Sequence, residues 1–484
     1  MKSRVKLYSY HTFLVIPFVI LFLFNQNKGQ VWAEMLIRPL GVGLLLTGVL
    51  FGVFYLLFRN RLRTGVFVSL LVMGLVQYGV MYDVIERFYY AGSWPFGNIH
   101  RYLLLLFLTF YVALFFYIKK SQRSFIRVNL FLNMLLALLL LFNLIQLLGT
   151  GNEHKQLLNH QKNATALLLK TPQQKPDIYY IILDGYGSST TLRKYYHFDN
   201  SDFTNWLKNE GFAVADSAKS NYYYTSQSLS STLNMDYLDK PTTSGKIKYN
   251  RLFEGLKSVG YKIYNVESGY AVTGSFEHAD STITISGPNE FEKSLLRTTI
   301  LRLDDLFGFI PRMRLVSQFE KMFVVPDLHA TPKFVFLHIV APHPPYVFHA
   351  NGAFLLRGVS ENSWEPGTSY IEQLRFVNTQ VQLLIKKITN ASPNAVVVLQ
   401  SDHGPWTIAN SPEEVFEARS GILYALYPKS KFTVNNHATS VNTFRMVLDT
   451  LFGTNLGAMR DSLAGRSSLL SDPILLKKSN GLHK

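Results

Sequence analysis

Two apolar runs of the sequence end in residues that could bind a metal ion. Residues 395–399 are followed closely by Asp402 and His403, and residues 177–183 are followed directly by Asp184. Both runs are apolar without alternation, which is typical of strands covered on both faces of a parallel sheet. Because ligands bind at the carboxyl ends of such strands, we expect the two carboxylates and the imidazole to share one site. A single aspartate after a strand is more often a turn cap, but the repetition favours a metal site.

A stretch rich in hydroxyl side chains, residues 220–235, could supply a nucleophile to the same site. It contains Asn221, Thr225 and Ser226. Serine and threonine favour helix N-termini, and the unpaired N–H groups found there suit an anion such as phosphate. For this stretch alone, a helix cap without any chemistry is the open alternative.

An α/β domain must position these residues, and the sequence predicts one from residue 176 to residue 465, because strand-like runs alternate there with amphipathic helical runs. The predicted fold is a mixed sheet sandwiched by helices. The tail, residues 466–484, carries no predicted element. Strands are predicted at 177–183, 212–215, 261–266, 333–340, 395–399 and 421–427, and helices at 202–210, 251–259, 369–389 and 441–452.

The first 149 residues are predicted to form a membrane domain of five spanning helices. A bilayer core of roughly 30 Å requires about 20 apolar residues in a helix. The first apolar segment lacks a cleavage site and is followed by others, so we expect an anchor and not a removed signal peptide. Residues 150–175 are polar and form a predicted connector. The five spans are predicted near 8–25, 36–58, 64–82, 102–118 and 128–149.

The distribution of charge predicts the orientation of this domain. The net charge is +16, but residues 1–149 contain 14 Lys and Arg against 3 Asp and Glu, which leaves only +5 for the remainder. A basic balance confined to the apolar region reflects topology, so we expect no nucleic-acid partner. Alternate loops hold ten cations and no acid. The positive-inside rule therefore predicts a multi-pass protein of the cytoplasmic membrane, with a cytoplasmic N-terminus and the α/β domain outside. The absence of cysteine excludes disulfides and thiolate metal sites.

The motifs together resemble the alkaline phosphatase superfamily. The resemblance lies in Asp184-Gly after the first strand, Thr225-Ser at a helix start, and Ser-Asp-His-Gly at 401–404. More narrowly, the chain resembles the sulfatase-like membrane branch that includes phosphoethanolamine transferases and lipoteichoic acid synthases. The likeness runs from about residue 176 to about residue 465. Five predicted spans with the enzyme outside also resemble those transferases.

The resemblance implies a role for each motif residue. Asp184, Asp402 and His403 would bind one divalent metal ion, and Thr225 would be the nucleophile, with its oxygen also on the metal. Carboxylates with one imidazole suit Zn²⁺ or Mn²⁺, whereas Mg²⁺ and Ca²⁺ are possible but less favoured by histidine. A divalent cation lowers the pKa of a bound hydroxyl and polarises the phosphoryl oxygen. The implied reaction is two displacements through a phospho-threonine intermediate.

Further residues are expected to contact the substrate. The sequence Leu-His-Ile-Val-Ala-Pro-His at 337–343 resembles the histidine-rich segment that faces the head group in the membrane transferases. His343 is expected to bind substrate or to protonate the leaving group. His338 is expected to bind substrate or, equally, to be a satisfied core histidine. Asn221 and Ser226, beside the nucleophile, are expected to contact the substrate.

Differences between this sequence and the motifs of the related families limit the reactions that we expect. Formylglycine sulfatases need proline and arginine after the cysteine or serine, and neither follows Thr225. Asp184 replaces the glutamate of the phospholipid-using transferases. The leading hypothesis is an enzyme that moves a phosphoryl-linked head group from a phospholipid or another phosphodiester to an envelope glycan or lipid. The alternatives are a sulfatase-like phosphodiesterase or sulfuric ester hydrolase, and a catalytically degenerate envelope scaffold.

Overall fold

The chain forms two compact units, one of residues Met1–His160 with Pro288–Asp304 and one of Gln161–Gly287 with Asp305–Lys484. The computed structural model describes residues 8–27, 31, 33–90, 99–148, 167, 169–171, 174–238, 247–302, 308–329, 331–355, 364, 367–406 and 411–463. The predicted tail and nearly all of the predicted connector therefore lie outside the described residues.

The first unit contains the predicted membrane helices. Four described helices are long and apolar enough to cross a membrane, and α1, with 16 residues, is a shorter apolar helix. At 1.5 Å per residue α1 is about 24 Å long, somewhat less than the bilayer core. A helical region with four to five candidate spans is thereby confirmed. The helices are α1 (His11–Gln26), α2 (Ile37–Phe58), α3 (Arg61–Tyr90), α4 (Ile99–Lys120) and α5 (Ile126–Leu148).

The second unit is built on a seven-stranded mixed sheet with the order β2-β7-β6-β1-β5-β3-β4. β1 lies between β6 and β5 and is parallel to both, whereas β7 and β2 at one edge are antiparallel. The mixed α/β sheet is thereby confirmed. The strands are β1 (Ile178–Leu183), β2 (Ala213–Ala215), β3 (Lys262–Val266), β4 (Ser281–Ile283), β5 (Lys333–Ile339), β6 (Val396–Gln400) and β7 (Tyr424–Tyr427).

Helices cover both faces of this sheet, which explains why its central strands read as uninterrupted apolar runs. Alternate residues of β1, β5 and β6 face two different hydrophobic cores, one completed by α12 and the other by α9 and α14. Besides one turn of α-helix at Ala271–Gly274, the α-helices described after residue 175 are α6 (Ser189–Tyr196), α7 (Ser201–Asn209), α8 (Thr225–Asn234), α9 (Arg251–Ser258), α10 (Glu290–Thr298), α11 (Phe309–Met322), α12 (Gly367–Ala391), α13 (Pro412–Ser420) and α14 (Thr443–Phe452).

One of these helices, α10, belongs to the first unit although its sequence lies within the range predicted for the catalytic domain. Glu292 on α10 forms an ion pair with Arg38 at the start of α2. The ring of Phe291 meets that of Phe24 on α1 edge-on, with centroids 6.3 Å apart. Segment 288–304 is therefore fastened to the membrane helices by both charge and aromatic packing.

A second ion pair fastens the end of this segment to α3. Nη1 of Arg302 lies 2.6 Å from Oδ1 of Asp83, and its guanidinium lies 4.3 Å from the ring centroid of Tyr82. Closer to α10, a Cβ on Gly79 would lie only 1.8 Å from the carbonyl oxygen of Arg297. Glycine is therefore required at position 79 for this close approach of the two backbones.

Candidate active site

The sheet brings the two predicted aspartates together at its carboxyl edge. Ile182 of β1 is in register with Gln400 of β6, so Asp184 and Asp402 each follow two residues after that pair. Gly185 adopts a positive φ of 73°, and its N–H donates to Oδ1 of Asp402 over 3.1 Å. The turn after β1 thus fixes one carboxylate against the other, as the two strand ends predicted.

Three polar atoms at this edge have no hydrogen-bond partner among the described residues although they are buried. They are Oδ1 of Asp184, Oδ2 of Asp402 and Nε2 of His338. The ligand atoms of these three residues lie within 4.8 Å of one another. Buried carboxylate oxygen atoms without a hydrogen-bond partner are costly, and two carboxylates with an imidazole are a donor set for a divalent cation. The residues present therefore fit a divalent metal ion.

His338 joins this group from β5, where it is paired in register with Ile182. Its Nε2 lies 3.3 Å from Oδ2 of Asp184. On the other side of the ring, Nδ1 lies 2.9 Å from the hydroxyl oxygen of Thr273, which is 2.7 Å from that of Ser268. These two hydroxyl groups hold the imidazole with Nε2 towards the carboxylates. His338 is thus placed as a ligand would be, a position that the sequence left open between substrate contact and core.

His403 faces the same carboxylates from the loop after β6. Its Nε2 lies 3.3 Å from Oδ2 of Asp402 and 3.6 Å from Oδ1 of Asp184. Nδ1 lies 3.0 Å from the carbonyl oxygen of Gly404, so it carries the proton and Nε2 presents a lone pair. Burial lowers the pKa of His403 to about 4, and the charge of Arg419 acts in the same direction against the two aspartates. The imidazole is therefore neutral at physiological pH.

Thr225 begins helix α8 and points into this site. Its side chain is 8% exposed, and its Oγ1 lies 3.2 Å from Nε2 of His403. The preceding residue, Tyr224, is extended, so the hydroxyl sits at the first turn, where helix N–H groups favour negative charge. The helix start predicted at Thr225 is thus observed, and the hydroxyl lies beside the predicted histidine.

The ionisation of Asp184 follows from its neighbours. Burial raises the pKa of Asp184, but His343, His338 and His403 together outweigh burial and lower the pKa well below its usual value. The carboxylate is therefore charged at physiological pH, as a metal ligand must be.

His343 lies at the rim of the site and is partly exposed. Its backbone N–H donates to the carbonyl oxygen of Asp184 over 3.0 Å, and its ring centroid lies 6.4 Å from that of His403. The ring meets Trp364 edge-on at 4.9 Å. An accessible imidazole beside a buried carboxylate pair is suitably placed for substrate.

Asn221 and Ser226, the two predicted substrate contacts beside Thr225, differ in burial and in their hydrogen bonds. Asn221 is buried, and its side-chain oxygen accepts from the N–H of Val441 and the hydroxyl of Ser440. Its amide donates to the carbonyl oxygen of Ser462 over 2.9 Å. These bonds show that Asn221 stabilises the local structure among the described residues, and its contact with substrate stays a prediction. Ser226 is partly exposed on the first turn of α8.

One site residue was missed from the sequence, namely Arg419 on α13. Its guanidinium Nη2 lies 3.1 Å from Nε2 of His403, and Nε donates to the carbonyl oxygen of Tyr223 over 2.9 Å. The rings of Trp364 and Trp406 flank it, with centroids 5.5 Å and 5.3 Å away. A lone arginine on an amphipathic helix carries no motif, so no local sequence signal distinguishes it.

The buried carboxylates and imidazoles at the carboxyl edge of a helix-covered sheet, beside a threonine in the first turn of a helix, fit a metal-dependent enzyme of the sulfatase type. The sequence model of the Sulfatase family matches residues 178–427. The chain therefore belongs to the Sulfatase family, which confirms the predicted sulfatase-like enzyme of the alkaline phosphatase superfamily.

Comparisons with other known proteins find distant similarity. A search of curated proteins found no match. Among solved structures, the chain is similar to the C-terminal periplasmic domain of EcEptC from Escherichia coli, with 14% identity, 60% of this chain and 86% of that chain covered, and a TM-score of 0.41. It is also similar to a phosphonate monoester hydrolase of Agrobacterium radiobacter, with 11% identity, coverage of 59% and 79%, and a TM-score of 0.42. A third similar structure is BT1596, a 2-O GAG sulfatase, with 13% identity, 60% of this chain and 73% of that chain covered, and a TM-score of 0.41.

Proposed function

We propose that this membrane-anchored enzyme transfers a phosphoryl-linked head group from a lipid donor to an envelope glycan or lipid, through a phosphate ester on Thr225. The observation that carries the proposal is the position of Thr225 Oγ1, 3.2 Å from Nε2 of His403 and beside buried carboxylates. The apolar helices of the same chain favour a lipid donor.

A divalent metal ion, with Zn²⁺ or Mn²⁺ favoured, would be held by Asp184 and Asp402 together with His403 or His338. Such an ion supplies Lewis acidity for the phosphoryl oxygen and lowers the pKa of a hydroxyl. The protein itself contributes a preformed and buried donor set, because both carboxylates and both imidazoles are buried. It also contributes the exclusion of water, which strengthens electrostatic interactions inside the site.

In the first displacement, each proton transfer and each change of bonding is assigned to a side chain of the site. Thr225 Oγ1 loses its proton to Nε2 of His403, which lies in hydrogen-bond range, and forms a bond to phosphorus. This nitrogen can accept the proton where His338, and not His403, completes the metal site. The bond from phosphorus to the diacylglycerol oxygen breaks at the same time, and His343 at the rim donates a proton to that oxygen. The first turn of α8 stabilises the negative charge that develops.

The second displacement returns the enzyme to its starting state. A hydroxyl of the acceptor attacks phosphorus, the bond to Thr225 Oγ1 breaks, and Nε2 of His403 returns its proton to that oxygen. His343 takes the proton of the attacking hydroxyl, because a group that acts as an acid in one half of a cycle acts as a base in the other. The positive-inside pattern supports a location of this chemistry outside the cytoplasmic membrane.

The test is mass spectrometry of the full chain incubated with metal and a phospholipid labelled in its head group. We expect an adduct on Thr225 and release of diacylglycerol, with both absent in Thr225→Ala. Thr190→Ala, which removes an exposed threonine hydroxyl that donates to the backbone of Asp216, is the matched control and is expected to form the adduct. The absence of both adduct and diacylglycerol with every phospholipid class tried would overturn the proposal.

A hydrolase is the second candidate, and membership of the Sulfatase family favours it. Water would then replace the acceptor hydroxyl. Turnover of an aryl phosphodiester and of an aryl sulfate separates the two reactions. Because Thr225 lacks the proline and arginine of the formylglycine signature, we expect phosphodiester turnover, and turnover of sulfate alone would reject phosphoryl transfer. A degenerate scaffold, in contrast, would show no change of cellular phenotype in Thr225→Ala.

A further inference from the structure

The loop that carries His343 is poor in backbone hydrogen-bond donors. It follows β5 and leads to Phe348, and positions 342, 344 and 345 are prolines, which have no N–H group. Most residues of this loop are buried, and a buried carbonyl oxygen without a donor is costly. Donors for its carbonyl groups are therefore needed from elsewhere in the chain.

The side-chain amide of Gln373 on α12 supplies such a donor and is fully buried. Its Nε2 donates to the carbonyl oxygen of His343 over 3.2 Å, and it lies 3.4 Å and 3.5 Å from those of Pro342 and Pro345. Its Oε1 accepts from the N–H of Val347 over 2.8 Å. One amide therefore binds the loop on both sides of the histidine.

The same face of α12 also holds the turn after Asp184. The hydroxyl of Tyr370, three residues before the glutamine, donates to the carbonyl oxygen of Gly185 over 2.9 Å and accepts from the N–H of Gly187 over 3.1 Å. Residues three apart lie on one face of a helix. A single helix therefore fixes the loop of His343 relative to the turn of Asp184.

The loop also determines which ring nitrogen of His343 is left for a substrate. Nδ1 lies 2.6 Å from the carbonyl oxygen of Pro344, so Nδ1 carries a proton and donates it to this bond. Nε2 is then the atom that can exchange a proton with a bound molecule. Because the bond of Nδ1 lies within the loop, the position of Nε2 follows the position of the loop.

We propose that Gln373 is a positioning residue, which holds the loop so that Nε2 of His343 meets the leaving oxygen of the substrate. The inference rests on the proposed role of His343 as the acid of the first displacement, but the order of the loop can be measured without turnover.

A positioned acid matters most when the leaving group is a strong base. The oxygen of diacylglycerol leaves as a strongly basic alkoxide unless it is protonated, whereas 4-nitrophenolate is a weak base and leaves without a proton. A displaced His343 should therefore slow the release of diacylglycerol much more than the release of 4-nitrophenol from an ester with the same head group.

The experiment compares the full chain with Gln373→Met, which keeps the length of the side chain but removes its amide, and with Gln373→Glu, which keeps the shape and the acceptor oxygen. Val381→Ala is the matched control, because Val381 is equally buried on α12 and its side chain forms no hydrogen bond. Turnover is measured with a phospholipid and with its analogue in which 4-nitrophenol replaces diacylglycerol. Hydrogen exchange followed by mass spectrometry reports the order of residues 343–347, and titration calorimetry gives the Kd for Zn²⁺.

In Gln373→Met we expect kcat for the phospholipid to fall by about 10²-fold, as when a general acid is lost, with KM within about threefold of wild type. The activity towards the 4-nitrophenyl ester should fall less than about fivefold, and the Kd for Zn²⁺ should stay within about threefold. Exchange of the loop amides should rise at least about tenfold. Gln373→Glu should recover part of each loss.

Val381→Ala should lower the melting temperature, because it leaves a cavity in the core, but it should change neither the ratio of the two activities nor the exchange of the loop. Equal losses on both esters in Gln373→Met would show that the glutamine only stabilises the fold, and unchanged exchange would show that it does not hold the loop. Either result rejects the proposal.

Failure of the proposed function gives a different result. If wild type releases neither diacylglycerol nor 4-nitrophenol, phosphoryl transfer is rejected, whereas hydrogen exchange still decides whether Gln373 orders the loop of His343. Should Gln373→Met fail to fold, Gln373→Glu carries the same comparison, because it lacks the amide donor.

Discussion

Oγ1 of Thr225 lies 3.2 Å from Nε2 of His403, although 178 residues separate the two in sequence. The pair joins the start of α8 to the loop after β6, and both residues are buried. A hydroxyl and a neutral imidazole at this distance are suited to the roles of nucleophile and proton acceptor that the proposed reaction assigns to them.

The hydroxyl of Thr225 is expected to be indispensable. Replacement by alanine should reduce diacylglycerol release by at least about 10³-fold, because removal of a nucleophile leaves only the contribution of substrate binding. Thr225→Ser keeps the oxygen and should retain measurable activity. Release of labelled diacylglycerol from a phospholipid measures both variants. Equal activity of the alanine and serine variants would show that Thr225 is not the nucleophile.

The hydroxyl of Thr273 is expected to tune metal binding through His338. Thr273→Val keeps the shape of the side chain but removes the oxygen 2.9 Å from Nδ1 of His338. Loss of such an outer partner typically weakens metal affinity about 10–100-fold. Competition with a zinc chelator gives the affinity. Thr232→Val is the control, since the hydroxyl of Thr232 donates to the carbonyl oxygen of Ser228 within α8. Equal affinities in the two variants would argue against His338 as a ligand.

Acid is expected to destabilise the chelator-treated protein through His403. Burial lowers the pKa of His403 from 6.5 in the unfolded chain to about 4 in the folded protein. As the pH falls, the imidazole therefore binds a proton in the unfolded chain at a higher pH than in the folded protein. The contribution of His403 to the free energy of unfolding is fully present above the pKa of the unfolded chain, and it is lost as the pH falls towards the pKa of the folded protein. The loss reaches at most roughly 3 kcal/mol.

Thermal melting at about pH 7 and about pH 5 in the presence of chelator measures this effect. The melting temperature of wild type should drop more than that of His403→Gln, which has no titrating ring. Identical drops in the two proteins would show that another group dominates acid destabilisation in this range.

The close approach of Gly79 to α10 is expected to hold segment 288–304 on the membrane helices. A side chain at position 79 would meet the carbonyl oxygen of Arg297, and such overpacking typically costs roughly 1–3 kcal/mol. The chain contains no cysteine, so Arg38→Cys with Glu292→Cys provides a unique pair for a short bis-maleimide. Cross-linking should be efficient in this background and should fall when Gly79→Leu is added.

Gly41→Leu is the matched control for that experiment, because nothing lies within 4 Å of a Cβ at position 41. This variant should cross-link as the parent does. If Gly79→Leu also cross-links normally, the segment is not held by contact with α3.

Local sequence was sufficient to predict the framework of the site. The apolar runs before Asp184 and Asp402 are strands because residues on both faces of the sheet are buried, which removes the polar alternation of a half-exposed strand. Parallel pairing of β1 with β6 then brings their ends together, and a hydroxyl-rich turn begins a helix at Thr225. Each of these features depends on residue type and on short-range spacing.

The sequence by itself therefore determined the membrane helices, the sheet, the family and the carboxylates at its edge. Only the tertiary structure decided that His338 turns its Nε2 to Asp184, that Arg419 reaches His403, and that α10 packs with the membrane helices. Each of those contacts joins residues far apart in the chain, and nothing in the local pattern of an arginine on a helix or a histidine in a strand specifies its partner. Long-range contacts also determine the surroundings of Asn221, because its side-chain amide forms hydrogen bonds with residues more than two hundred positions later in the chain.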